Sequence, residues 1–480
     1  MTRFNKYFLI LLLLVPGVSA FGQSPDTLLS LQQCIDIAIA HNLQVKQSGL
    51  TADQDKIYYN QAKENLLPSI SGSAGRQLSQ GRGINSLTNT YVNQSQTQDN
   101  YGLSGSLVLF NGLALQNAIK QTSLAYQAGK MDFKAAKDAV TVNVITFYLS
   151  VLDSREILEQ NKSQLAAAKE QVDRLQILEQ QGANKAASDY TDIQGQYAAA
   201  EVNLVSSQNA LKAAMLNLFQ VLNIPYNQKT VLQPLNAEDL KGDYGISADD
   251  VYNTALQQLA LVKAATLHRE SYEKAVKVAK GQLFPTLSVN GNLFTSYSST
   301  AQKSIFVDSV TNAVQGLYAQ GPNGKESIFS TTAAYNNQNI GYWDQFKNNY
   351  GSYVTVGLNI PIFTNYTKRN NVALAKINLE LSRATEDNTK VQLRENIEQA
   401  YYNMQSAYNR YQALTAQVKA YTESFRIYKI RFEAGVLTSV DYVLAKNNMD
   451  SAAVNLISAR YDYFIYSKIL DYYQGKLSSF

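Results

Sequence analysis

Between Ile397 and Phe432, apolar or aromatic residues recur in steps of three and four: Ile397, Ala400, Met404, Ala407, Tyr411, Leu414, Val418, Tyr421, Phe425, Tyr428 and Phe432. A period of about 3.5 residues is the seam of a helix that supercoils left-handedly against a neighbour. The surrounding stretch from Asn365 to Ala434 contains neither glycine nor proline, so about 70 residues can run as one helix of roughly 105 Å. Gly435 stops it, and a second run free of both residues, Val436 to Gln474, can fold back along it. The stripe loses its phase above Val391, at the polar run Glu386-Asp387-Asn388-Thr389-Lys390. Supercoiling is therefore expected toward Gly435, with straighter helix beyond.

Elsewhere the period changes to two. After Pro285, Leu287, Val289, Gly291 and Leu293 alternate with Ser288, Asn290 and Asn292. Val354, Val356, Leu358, Ile360 and Ile362 alternate with Tyr353, Thr355, Gly357 and Asn359. The first half carries a weaker version in Ile70 to Leu78, and in Tyr101, Leu103, Leu107 and Leu109 set against Gly102, Ser104 and Ser106. Strands are expected at about 69–80, 101–110, 286–297 and 353–363, with 81–99 and 298–350 as polar hairpin loops. Strands of about ten residues with one apolar and one polar face suit an outer-membrane barrel. A single such hairpin would equally suit a soluble sheet packed on a helix.

The two patterns belong to an internal duplication. Ala38, Val45, Lys46, Lys63, Leu66 and Pro68 recur 217 residues later as Ala255, Val262, Lys263, Lys280, Leu283 and Pro285. Leu109-Phe110 recurs as Ile362-Phe363, and Gly182 as Gly435, both 253 residues on. The jump between these spacings places an insertion of 36 residues in the middle of the second copy. The seam is duplicated too, as Val144, Phe147, Val151, Leu158, Leu165, Ala168, Val172 and Leu175, broken by Ser154, Asn161 and Glu179. The chain thus reads as a first repeat over 21–224 with its tip at Gly182, a linker over 225–249, and a second repeat over 250–480 with its tip at Gly435. Each repeat is a long helical hairpin plus a β-hairpin. Four strands cannot close a barrel, and an open sheet edge is forbidden in lipid. Several copies must then share one barrel, and the arithmetic allows eight, twelve or sixteen strands from two, three or four copies.

Composition removes other classes. Arg3 and Lys6, the apolar stretch Tyr7 to Val15, and Val18-Ser19-Ala20 read as an export signal over residues 1–20. Phe21 follows, so no acyl anchor on a cysteine is expected. No later run of eighteen apolar residues suggests a spanning helix, which leaves membrane entry to strands. The formal charge of +4 over 480 residues gives no footprint for nucleic acid. Cys34, the single cysteine, is expected to be a buried small hydrophobe. His41 and His268 are the two histidines, expected on helix surfaces with no triad or metal-binding pattern around them. No enzyme chemistry and no cofactor are expected. A scaffold of exported coiled coil is the alternative.

The duplicated order carries a family resemblance. Leu-Leu-Pro-Ser-Ile (66–70) and Leu-Phe-Pro-Thr-Leu (283–287), Leu-Val-Leu-Phe-Asn-Gly (107–112) and Ile-Pro-Ile-Phe-Thr-Asn (360–365), and Phe-Glu-Ala-Gly (432–435) followed by Ser-Val-Asp-Tyr (439–442) resemble the TolC-like outer membrane efflux proteins. The resemblance spans nearly the whole chain after the signal. It implies a homotrimer in the Gram-negative outer membrane, with twelve strands in one barrel and an α-helical tunnel in the periplasm. It also implies docking to a periplasmic adaptor and an inner-membrane pump, as the passive exit duct of an efflux or type I secretion system. Pro68, Pro285, Phe110 and Phe363 would mark helix–strand junctions, and Gly182, Ala183, Gly435 and Val436 the docking tips. At the periplasmic aperture, Asp441 matches the first of two paired aspartates, while the second falls on Leu444; Asp189 is the counterpart of Asp441 in the first copy. A tyrosine and an arginine of the family's closed state fall on Phe432 and Leu437, so closure is expected to be more apolar here. Ser188 and Ser439 read as helix N-caps, which gives Asp189 and Asp441 a capping role as well.

Overall fold

The computed structural model describes residues 28–85, 89–181, 186–234 and 244–476. The first repeat runs β1 (Leu28–Leu29), α1 (Leu31–His41), α2 (Leu43–Glu64), β2 (Ser69–Asn85), β3 (Thr90–Phe110), α3 (Ala114–Gln180) and α4 (Ala186–Leu222). After β4 (Val231–Leu232), the second runs α5 (Ala248–Gln258), α6 (Ala260–Gly281), β5 (Thr286–Ser298), β6 (Gln302–Gly321), β7 (Gly324–Asn339), α7 (Tyr342–Asn348), β8 (Gly351–Asn359), α8 (Thr367–Glu433) and α9 (Ser439–Tyr473). The export signal, Gly182, Ala183, Phe480 and part of the linker lie outside the described residues. The chain divides into two units: one of residues up to Asp55 with Ala125–Arg269 and Ser382–Phe480, the other of Lys56–Leu124 with Glu270–Leu381.

The first unit is helical and holds two cores built to one plan. Ser30 caps α1 with a reciprocal box, its hydroxyl accepting the Gln33 amide while the Gln33 side chain accepts that of Ser30; this satisfies two orphan donors at the helix start. Ser247 caps α5 in the same way by accepting the amide of Asp250. Behind these caps, Cys34, Ala38, Val45, Val144, Tyr148, Leu149 and Leu218 form one buried cluster. Val251, Ala255, Val262, Ile397, Met404 and Leu470 form the other. A buried side chain of this size contributes about 1.5–3 kcal/mol. Burial pushes the Cys34 thiol up to about 12, which leaves it inert.

All eleven positions of the stripe from Ile397 to Phe432 are buried or half-buried, because a 3.5-residue period keeps one side of α8 facing its neighbours. One expectation needs correction. α3 does carry an 18-residue window apolar enough to cross a membrane by composition, with mean hydropathy 1.3. Its apolar run from Val140 to Leu152 is spent on the first core, through Val144, Tyr148, Leu149 and Leu152. The linker is also more ordered than a plain connection, since β4 pairs in parallel with β1 through Leu28–Val231 and Leu29–Leu232. The Tyr148 hydroxyl lies 2.7 Å from the Gln233 carbonyl and 3.2 Å from that of Leu29, and Arg155 Nη1 donates to the Leu232 carbonyl at 2.8 Å.

The second unit holds an antiparallel four-stranded sheet in the order β2-β3-β5-β8. Most of the expected loop at 81–99 is strand: β2 and β3 run 17 and 21 residues and pair without a break from Ser69–Ser106 to Asn85–Thr90. Residues 298–350 are not a loop either, since β6 and β7 pair as a separate hairpin and α7 follows. β8 ends at Asn359, short of Phe363, because Pro361 has no amide to give the ladder. The register puts Ile70, Leu103, Leu293, Val354, Val356 and Leu358 on one face, all exposed. Ser71, Ser73, Ser104, Asn290 and Asn292 share the other. Pro68 precedes β2 and Pro285 precedes β5, each four residues after the end of a helix. Phe110 closes β3, and Phe363 meets Tyr366 edge-on at 5.6 Å. Between the junctions, Gly112 at φ +66° passes so close to the Gly281 carbonyl that a Cβ would collide with backbone.

Candidate functional site at the helix tips

The second tip is made by two local signals. α8 ends in a Schellman turn: Gly435 sits at φ +72°, its amide bonds the Phe432 carbonyl, and the Val436 amide bonds that of Arg431. Glycine adopts that backbone without the penalty a Cβ would bring. α9 then starts at Thr438, one residue earlier than the expected cap Ser439. Thr438 Oγ1 accepts the Asp441 amide at 3.3 Å and donates to Asp441 Oδ2 at 2.7 Å. Asp441 is thus held by its own helix start, where a carboxylate meets the positive end of the dipole. Ser188 lies inside α4, which begins at Ala186, so it is not a cap either.

Freed from capping, Ser439 is 3% exposed and bridges the repeats. Its hydroxyl donates to Asp192 Oδ2 at 2.7 Å, and its amide to Asp189 Oδ1 at 3.4 Å. A second bridge joins Arg174 of α3 to Glu433 of α8 at 2.8 Å. Beneath them Leu175, Ile193, Phe432 and Tyr442 form a small buried core. Phe432 stacks on Tyr442 with centroids 4.7 Å apart. Burial, then the charges of Glu433, Asp450 and Glu170, push the Tyr442 hydroxyl up to about 12, so it stays neutral. This core is apolar, and polar contacts accompany it. They come from Arg174, Glu433 and Asp192, none of them singled out from the sequence, and from Ser439, expected there as a cap. One signal was available: Asp189 and Asp192 keep the three-residue spacing that Asp441 and Leu444 lack.

Of the remaining tip residues, Val436 is 70% and Leu444 59% exposed, while Gly182 and Ala183 lie outside the described residues. Above the tip, a polar cavity of about 560 Å³ lies among α3, α4 and α9, with Asn161, Gln164, Gln196 and Asn447 in its walls. Lys446, 4% exposed, pairs with Asp450 at its edge at 2.6 Å. Further along α3, burial and the neighbouring Asp462 and Glu156 push Asp153 up to about 6. Glu156 itself pairs with Arg460 of α9.

His268 is not an isolated surface imidazole: its Nε2 lies 2.8 Å from Asp132 Oδ2. That hydrogen bond raises its pKa against the opposing effect of burial. No group of three or more His, Cys, Asp or Glu among the described residues could hold a metal. The contacts at the tip hold α3, α4, α8 and α9 together.

Comparison with known proteins matches this geometry. A family model described as "Outer membrane efflux protein" matches residues 34–223 and 251–471, one match in each repeat. The outer membrane protein TolC of Escherichia coli (strain K12) is 22% identical over 460 residues, 94% of this chain and 82% of that protein. Among solved structures, a CusC channel superposes with a TM-score of 0.73 at 13% identity, over 95% of both chains. VceC of Vibrio cholerae gives 0.71 at 14%, over 93% of this chain and 96% of that one.

Proposed function

Given that the chain belongs to the outer membrane efflux protein family, we propose that three copies form one exit duct, opened at its helix tips by a docked adaptor and pump. As a channel protein of the outer membrane it performs no chemistry of its own. The observation that carries a barrel shared between copies is the open sheet, and the number three follows from the family resemblance. β2 and β8 each have one edge without a partner among the described residues, beside the exposed apolar positions Ile70, Val354, Val356 and Leu358. In lipid, unpaired backbone groups are prohibitively costly, so each β8 would pair with β2 of the next copy and three copies would close twelve strands. The serine and asparagine face would then line water. A coiled-coil scaffold without a channel would leave that apolar face unexplained.

At the other functional end, the Ser439–Asp192 and Arg174–Glu433 contacts and the Phe432–Tyr442 stack would hold the resting tips shut. Docking would compete with them at Val436 and the adjoining turns. Native mass spectrometry of the detergent-solubilised protein should give three copies; two or four would overturn the trimer. A photocrosslinking residue at Val436 should capture a periplasmic adaptor or inner-membrane pump in cells, identified by peptide mass. Loss of that capture on disrupting the adaptor gene would support docking, and capture of neither protein would refute it.

A further inference from the structure

α7 has no counterpart among the described residues of the first repeat, and it packs on the apolar face of the sheet. Thr295 Oγ1 donates to the Phe346 carbonyl at 2.7 Å, and Gln345, 2% exposed, binds both the amide and the carbonyl of Ser298. The register places Thr295 and Tyr297 on the same face as Leu293, Leu103 and Val354. Rings join across that face: Tyr297 with Tyr342 at 4.6 Å, Tyr101 with Phe346 at 5.7 Å, and Trp343 with Phe346 at 5.7 Å. Trp343 itself is 68% exposed. Aromatic residues of this kind concentrate at membrane–water interfaces. α7 sits at the strand ends opposite the helix junctions, which in an outer-membrane channel is the external side.

Below α7 the same face is hollow. Gly72, Ala74, Tyr101, Leu103, Leu293 and Phe346 line a groove of about 580 Å³. It shares Leu103 and Leu293 with a second depression of about 500 Å³ floored by Gly105 and Gly291, which pair directly in the register. At the upper rim, two positions along β2 from Ala74, stands Arg76. Its Nε and Nη2 bond Asp99 at 2.7 and 2.8 Å, while its side chain stays 65% exposed. The groove overlies β3 and β5, the inner strands, so copies added at β2 and β8 would leave it open to lipid.

We propose that this groove is a specific site for a phosphate-bearing lipid of the outer leaflet. An acyl chain lies over Gly72, Leu103, Gly105 and Gly291, the lipid phosphate meets Arg76, and α7 clamps the bound lipid at the interface. The site continues the apolar band already facing the bilayer, and the exposed side of the Arg76 guanidinium, whose Nε and Nη2 serve Asp99, offers its remaining donors to a phosphate. It rests on the outer-membrane location and not on the trimer or the docked pump.

The single tryptophan makes α7 directly readable. In bilayers containing brominated phospholipids, Trp343 emission should be quenched most by bromines near the headgroup. Val356→Trp in a Trp343→Phe background reports insertion independently. Quenching of the tryptophan at 356 without quenching of Trp343 would overturn the interfacial clamp, whereas quenching of neither would refute membrane insertion itself. For the ligand, native mass spectrometry with lipid A as probe should show retained lipid. Gly72→Leu with Gly291→Leu fills the groove at two places where a Cβ meets nothing within 4 Å. That variant should bind lipid A about tenfold more weakly, as should Arg76→Gln with Asp99→Asn, which leaves no unpaired carboxylate. Lipid A stripped of its phosphates should bind the wild type as weakly as the charge variant. Equal retention by the wild type and the groove-filled protein, or indifference to the phosphates, would overturn the site.

Discussion

Ala38 and Ala255, Val144 and Ile397, and Leu218 and Leu470 are counterparts in the two repeats, and all six are fully buried. At the tips the counterparts diverge. Phe432 corresponds to Glu179, Asp192 to Leu444 and Arg174 to Ile427; Phe432 is buried, while Glu179, Leu444 and Ile427 are exposed. Asp189 and Asp192, which meet Ser439, come from the first repeat, and the stacked Phe432 comes from the second. Neither tip is complete alone, so the contacts at this end run from one repeat to the other. The two copies share what packs a core and differ at the tips.

The strongest test of that asymmetry is Phe432→Ala, which removes a ring stacked in the tip core and should cost about 3–5 kcal/mol locally. Amide exchange in α8 and α9 near the turn should accelerate accordingly, while Glu179→Ala leaves exchange unchanged; equal effects would erase the difference between tips. Asp192→Ala leaves the buried Ser439 hydroxyl without its acceptor and should cost about 1 kcal/mol, read as more frequent opening in planar bilayers. Leu444→Ala at the counterpart position should leave opening within error. Arg174→Ala breaks a bridge whose side chains are 42% and 31% exposed, so no more than about 0.2–1 kcal/mol is expected.

A separate effect is that of pH. Asp153 is lifted by burial from 3.8 to about 6, so the folded state holds its proton more tightly than the unfolded chain does. The stabilisation this gives is full at low pH and is lost as pH rises through about 6. Thermal melts should fall in that window, and Asp153→Asn should flatten the slope. Ser406, its counterpart in the second repeat, contributes none.

The helices were legible because their signals are local and periodic: the stripe on α8 needs only its own residues, and Gly435 ends it with its own backbone. The four membrane strands were legible from alternation. The β6–β7 hairpin was not, because its register slips between Phe306 and Asp308 and again between Ala313 and Tyr318, which breaks the two-residue period. α7 was hidden for another reason: its seven residues are too few for a helical stripe, and the sheet face beneath supplies its order. At the tip, Thr438 and Ser439 are chemically alike, so only geometry could tell the cap from the bridge. Asp132 stands 136 residues from His268, and Asp192 stands 247 from Ser439. No local pattern announces such partners.

The short β1–β4 pairing has a consequence for the order in which the chain can assemble. Tyr148, Leu29 and Gln233 all belong to the first 233 residues, as does every buried member of the first core except Phe464. A chain emerging from its amino end can therefore fasten its beginning to the end of its first half while the second is still being made. The second core, which draws on residues as late as Leu470, must wait for the whole polypeptide. The duplicated architecture thus permits assembly in sequence, with the earlier half able to offer a folded surface against which the later one can settle.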